Sequence, residues 1–493
     1  MPAGAERGAS FVQSKMPELD AAASPAASSS AKQHPGGAAA APPGPLPHTL
    51  GMRTRRSLAR LALVAGSAVA LIGAGAIFLT GRGTPRPAPT APAAAPVAGV
   101  QNRQGISGVI AGLQARLRAV PGDWQSLATL GSAYVEQARV SGDPSYYPKA
   151  QLSLERSLQL NTKDNFAAMA GLGALAAARH DFGAALDWAD KGLAINPDNS
   201  TLYGVRTDAL VELGRYDEAQ VAVQKMADLR PDLPAYVRAA YLRELHGDVA
   251  SALRFMQDAE TNANNAAESS FAIYHQGELK ENSGSLDEAE ADYKRAQLID
   301  PTSLPARDGL ARVAAARGQS GAAIAAFEAL LGERPLPVYS AALTDLYTLA
   351  GRLEDAQRQR ELLTVERKLL ASNGVNSDLE LALYSADNKV DIPEAVAAAR
   401  AEWGRRKSIH VADALAWSLY ANGDFAEAKT YADQALRLGT KSAPFYFHRG
   451  MIEAALGAKP AAKRDLEAAL RINPTFSVRR AADARKTLAG LGS

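Results

Sequence analysis

The chain contains no cysteine. Disulfides, thiolate zinc sites, iron–sulfur clusters and thiol chemistry are therefore excluded. Aromatic residues are scarce, at 6%, while alanine is abundant, a composition that suits close-packed helices better than sheets. Net charge is only +2 over 493 residues, so no overall basicity points to nucleic acid as a partner. Catalytic signatures are missing too. No glycine-rich loop runs into Lys-Ser or Lys-Thr, no His-Glu-x-x-His occurs, and no serine lies in a Gly-x-Ser-x-Gly setting. The seven histidines (His34, His48, His180, His246, His275, His410 and His448) are dispersed. The expectation is a non-catalytic chain with no cofactor and no metal site.

What is present falls into an unusual first hundred residues and a periodic remainder. Residues 1–57 are rich in Ala, Pro, Ser and Gly without helical or strand period, and read as a disordered tail. Leu61 to Thr80 is 20 residues without a charge. At about 1.5 Å per residue a helix of that length spans the ~30 Å hydrocarbon core. A cleaved signal peptide would have an apolar core of about 7–15 residues close to the N-terminus, so a retained transmembrane helix over 58–80 is predicted. Arg53, Arg55, Arg56 and Arg60 precede the span, and Arg82 and Arg86 follow it. That excess places the N-terminus in the cytoplasm and the rest of the chain outside the cytoplasmic membrane. Ala62, Gly66, Ala70 and Ala74 form a small-residue stripe that could let two such helices associate. Residues 81–104, with Pro85, Pro87, Pro89, Pro92 and Pro96, read as a semi-rigid linker.

From about Gly105 a phrase Gly-x-x-x-x-Ala keeps returning. "GRYDEA" ends at Ala219, "GDVASA" at Ala252, "GSLDEA" at Ala289, "GQSGAA" at Ala323, "GRLEDA" at Ala356, "GDFAEA" at Ala428 and "GAKPAA" at Ala462. Ala150, Ala185 and Ala395 occupy the same place less cleanly. Successive alanines are 35, 34, 33, 37, 34, 33, 39, 33 and 34 residues apart. A period near 34 marks a helix–turn–helix repeat. Glycine lets the chain leave the first helix with positive φ, an acid near the start of the second helix suits its dipole, and alanine lets the pair pack closely. Pro197, Pro231, Pro301, Pro335 and Pro474 stand where each unit ends.

The pattern resembles the tetratricopeptide repeat family. "LATLGSAY" supplies Leu127, Leu130, Gly131 and Tyr134; "AAIAAFEALLGERP" supplies Ala323, Phe327 and Pro335; and "YFHRG" with "AAKRDLEAALRINP" supplies Tyr446, Gly450, Ala462, Ala469 and Pro474. The resemblance covers residues 120–475. It implies an all-α, right-handed superhelical solenoid of about ten repeats; the transmembrane helix expected from the apolar run precedes it. Departures from phase divide it into blocks at 105–262, 266–372 and 376–490, with capping helices in "ISGVIAGLQARLRAV" and "SVRRAADARKTLAGL".

The resemblance also implies a concave groove, lined by the first helices, that takes up protein or peptide segments. Its central position falls at Ala174, Asp208, Tyr241, Glu278, Arg312, Asp345, Tyr384, Trp417 and Met451. Tyr274, His410, Asp413, Tyr420, Phe447 and His448 join Asp208, Tyr241, Glu278, Tyr384, Trp417 and Met451 as candidate partner-binding residues. Packing between neighbouring repeats is the competing use for these aromatics. The lysine and asparagine with which some family members clamp a terminal carboxylate are missing, since the equivalent positions include Ala170, Gly204, Val237 and Tyr274. Function is thus expected to be that of a membrane-anchored scaffold for protein partners. Two alternatives stay open: a glycan- or lipid-binding envelope component, and a non-catalytic subunit of a membrane enzyme or secretion complex.

Overall fold

A computed structural model describes residues 105–492. The predicted tail, transmembrane helix, linker and the Ala62, Gly66, Ala70, Ala74 stripe lie outside the described residues. Among the described residues no helix is long and apolar enough to cross a membrane, and every regular element is helical.

A first helix, α1 (Gly105–Ala119), precedes ten antiparallel hairpins, and a last one, α22 (Arg480–Leu491), follows them. Hairpins 1 to 4 are α2 (Trp124–Ser141) with α3 (Tyr146–Leu160), α4 (Phe166–Ala178) with α5 (Phe182–Ile195), α6 (Ser200–Leu213) with α7 (Tyr216–Leu229), and α8 (Leu233–Leu245) with α9 (Val249–Thr261). Hairpins 5 to 7 are α10 (Ala266–Asn282) with α11 (Leu286–Ile299), α12 (Leu304–Ala316) with α13 (Ser320–Glu333), and α14 (Pro337–Leu349) with α15 (Leu353–Ser372). Hairpins 8 to 10 are α16 (Asp378–Asn388) with α17 (Ile392–Arg405), α18 (Ile409–Asn422) with α19 (Phe425–Ala435), and α20 (Ala443–Ala455) with α21 (Lys459–Ile472).

The repeated residues do the work their chemistry suggests. All ten marker alanines, from Ala150 to Ala462, are 0% exposed: each sits where the two helices of its hairpin approach too closely for a larger side chain. First helices begin on short polar caps. The side chains of Asn165, Asn199, Asp232, Asn265, Ser303, Ser408 and Ser442 each accept a hydrogen bond from a backbone N–H of the first turn. The outer helix α1 packs Ile106, Ile110, Leu113 and Leu117 onto the cluster around Leu130 and Leu154. It thereby covers the apolar end of the stack, as a cap must.

The extra residues of the first unit extend α2 to 18 residues and open its corner. The polar "AETNANNAAES" stretch leaves only a short turn, and α9 packs closely on α10 across it. The junction after α15 is different, because the backbones of α15 and α16 scarcely come within packing distance, and α14 meets α16 through side chains, Thr344 with Tyr384. The overlong α15 also buries Glu366, which is 1% exposed. Its Oε1 accepts from the Ser340 hydroxyl at 3.2 Å while Oε2 has no hydrogen-bond partner.

Burial pushes the Glu366 carboxyl up to about 7. A folded-state pKa above the unfolded one means stability that is fully present below about pH 4.5 and is lost as pH rises through 7. Glu366→Gln removes that slope. The variant should match the wild type near pH 4.5 and exceed it by roughly 3 kcal/mol above pH 8. Urea melts at the two pH values check this, and an unchanged slope in the variant would exclude Glu366 as its source.

Candidate functional site

The first helices of the hairpins carry a row of acids on their inner side, and each has a definite partner or lack of one. Asp208 of α6 is buried against Arg238 of α8, which donates from Nε at 2.8 Å and Nη2 at 2.7 Å. Glu278 of α10 accepts from the Tyr274 hydroxyl at 2.6 Å and from His275 Nδ1 at 2.6 Å. Arg312 of α12 gathers Glu281 at 3.0 Å, Glu278 at 3.7 Å and Asp308 into one cluster, with Tyr293 donating from its hydroxyl to Glu281 at 2.5 Å. Among the described residues Glu244 of α8 has no cation beside it, and Asn282 at 3.5 Å is its one recorded donor. Burial, with the Glu278 carboxylate nearby, pushes Glu244 up to about 7.

The aromatic candidates form a second, separate group. Trp417 is 4% exposed. Its indole Nε1 donates to Asp387 at 3.0 Å, and its ring stacks on His448 at 4.2 Å and on Tyr420 at 4.7 Å. Asp413 grips Nδ1 of His448 with both oxygens, at 2.9 and 3.0 Å. Phe447 packs on Trp417 and on Phe476, and Met451 lies against the same cluster. The structure therefore brings Asp413, Trp417, Tyr420, Phe447, His448 and Met451 together as packing within hairpins 9 and 10. Tyr274 and Glu278 belong to the Arg312 cluster, Asp208 stands apart with Arg238, and Tyr384 is half-buried on α16. Among the described residues no group of three or more His, Asp or Glu side chains is arranged to hold a metal.

The remaining pair, Tyr241 and His410, shows what lies opposite the inner wall. The Tyr241 hydroxyl is 3.2 Å from His410 Nε2 although 169 residues separate them, and burial pulls the His410 imidazole down. It is one contact of a long seam. The corner after α4 meets the start of α16, where His180 Nδ1 donates to the Asn376 carbonyl at 2.6 Å, 196 residues away. At the corner after α6, Arg406 pairs with Glu212, Lys407 N–H donates to the Leu213 carbonyl at 3.2 Å, and Ile409 N–H donates to the Tyr216 hydroxyl at 2.9 Å. The corner after α8 receives the Thr440 hydroxyl on the Leu245 carbonyl. The corner after α10 receives Asn473 on the Glu281 carbonyl at 2.9 Å. Offsets for these corner contacts stay between 192 and 196 residues. Hairpins 8 to 10 and the residues before α22 thus lie one superhelical turn above hairpins 2 to 5. Residues 272–303, from α10 through α11 to the turn beyond it, match the family described as "Tetratricopeptide repeat".

This stretch of the chain is thus similar to one tetratricopeptide repeat. Several solved structures are similar to the chain at low identity. The crystal structure of the APC/C hetero-tetramer Cut9-Hcn1 is 16% identical, covers 78% of this chain and 81% of that one, and gives a TM-score of 0.38. The human IFIT1 dimer with PPP-AAAA is 16% identical over 74% of this chain and 87% of that one, with a TM-score of 0.40. TTC0263, a thermophilic repeat protein of Thermus thermophilus, is 22% identical over 38% of this chain and 98% of that one, with a TM-score of 0.34. A comparison with curated proteins finds no match.

Sequence reasoning placed Arg312 and Asp345 on the inner face but did not name Arg238, Glu212, Glu244, Arg406 or Arg479. Their partners lie in other repeats, so no local pattern singles them out. One signal was available at the first corner: "ARHDFGAA" has His180 where most repeats have glycine, and His180 adopts φ 61°. A left-handed histidine is strained, and here it makes the first contact of the seam.

Proposed function

We infer that the chain is a non-catalytic adaptor that binds protein segments along the inner wall of its tetratricopeptide repeats, tied to the cytoplasmic membrane by residues 58–80. The observation that carries the binding reading is the row of inner carboxylates with Glu244 left uncompensated. A basic side chain arriving there would neutralise a charge whose burial is unfavourable, at no cost to an existing pair. Neutral glycans and lipid tails bring no cation to offset the Glu244 charge, which favours a basic protein segment over them. The anchor rests on the uncharged Leu61–Thr80 run and its arginine flank.

Crosslinking of the full chain in its native membrane tests the binding. Glu244→Lys should reduce crosslinked partner at least tenfold while the far-UV spectrum and melting midpoint stay near wild type. Full yield from the variant would remove the inner wall as the binding surface. For the anchor, a reporter that is active only outside the cytoplasm, fused after Gly105, should be active. Silence there would reverse the orientation.

A further inference from the structure

The stack of repeats is interrupted once among the described residues. After repeat 7 the second helix, α15, hands on to α16 without the helix-on-helix packing found at the other junctions, across a turn that contains Gly374 at φ 80°. Glu366, Arg367 and Glu380 lie on either side of this turn, and each buries a side-chain polar atom without a hydrogen-bond partner. Native junctions rarely tolerate that many. Past the interruption the chain has a core of its own: the clusters around Leu415 and around Trp417 draw exclusively on residues between Leu379 and Leu491. Residues 378–492 therefore form a self-contained block on a poorly packed joint.

That block is held against the inner wall by contacts of the kind a bound basic segment would make. Arg406 reaches Glu212. Arg479 reaches Asp345 at 2.6 Å. His410 meets Tyr241. Between the two arginine contacts lie Glu244 and the Arg312 cluster, whose carboxylates outnumber its cations.

We propose that residues 378–492 are a gate, hinged at 373–377 and self-docked on repeats 2 to 7, and that an arginine-bearing segment of a protein partner displaces it by taking over Glu212 and Asp345. The proposal rests on the inner wall being the binding surface, as inferred above. Charge complementarity selects the occupant: the wall presents acids, and the gate covers two of them with arginines. The joint allows the movement, because swinging the block away breaks a seam of polar contacts while leaving its own core intact.

Lack of native cysteine makes the test direct. Val221→Cys on α7 and Ala401→Cys on α17 are exposed positions on opposite sides of the seam. Spin labels there report its opening in the full chain by pulsed dipolar spectroscopy. The wild type should give one short, narrow distance. Adding a dodecapeptide of alternating arginine and alanine, or introducing Arg406→Gln with Arg479→Gln, should add a population at longer distance. The double variant, which frees Glu212 and Asp345, should also bind the peptide at least tenfold more tightly. Should the double variant fold poorly, Arg479→Gln alone loosens the Asp345 contact from its partly exposed rim. If the peptide binds and the distance stays single and short in every case, the gate is refuted while the inner wall stands as a binding surface. If the distance lengthens in the variant but the peptide binds neither form, the joint is real, and both the arginine-bearing partner and the inner-wall reading fall.

Discussion

Gly214→Ala and Gly247→Ala should destabilise the chain far more than the same change at Gly423. All three glycines stand at the corner of a hairpin with positive φ, at 78°, 74° and 92°. An alanine in that left-handed region costs about 1–2 kcal/mol wherever it is placed. At Gly423 the cost ends there, because a Cβ would meet nothing within 4 Å. At Gly214 a Cβ would fall well inside contact distance of the Lys407 carbonyl oxygen, and at Gly247 inside that of Gly439. These are backbone atoms of the overlying turn, which cannot rotate away. The seam must shift, adding an overpacking cost of about 1–3 kcal/mol. Urea denaturation of the three single variants under one set of conditions gives the comparison. Equal losses at Gly214 and Gly423 would mean that the two turns do not touch in solution.

The same glycine shows how much of this molecule was legible before its structure. As a member of a 34-residue period it announces the end of a first helix, and all ten hairpins follow from that phase and from the alanines five residues on. The apolar stripe of the outer helix α1 was an equally local signal. The assignment to first helices was legible as well, since Asp208, Tyr241, Glu278 and Trp417 all sit on them. What the period does not encode is what stands across from those helices. Trp417 stacks on His448 one repeat on, and Tyr241 meets His410 after 169 residues. A contact nearly 200 residues long leaves no trace in a 34-residue pattern. Its geometry depends on how many repeats complete a turn, which accumulates from small rotations at every junction. For that reason Gly214 and Gly423 look alike in sequence and differ in the folded chain.

Arg406→Ala should produce the largest loss of any single charged substitution in the seam, about 3–5 kcal/mol. The Arg406 side chain is 2% exposed and lies between Glu212 of α6 and Glu402 of α17, with its guanidinium 4.9 Å from the Phe182 ring centroid. Glu402 keeps Arg405 as a second partner. Glu212 has no other recorded cation among the described residues, so truncating Arg406 leaves a buried carboxylate facing an emptied site. The size of the loss therefore measures the charge left behind more than the worth of the pair. A double-mutant cycle separates the two. Glu212→Leu with Arg406→Met replaces the ion pair by apolar groups of similar volume and should recover most of the stability, because dry packing is often as favourable as a buried pair. Additive losses in the double variant would mean that Glu212 and Arg406 do not interact. Recovery of stability with the spin-label distance unchanged would assign the pair a further role: it makes the docking of the two turns dependent on charge, where an apolar contact would serve stability equally well. A seam built that way can be undone by a competing arginine, whereas an apolar one could not.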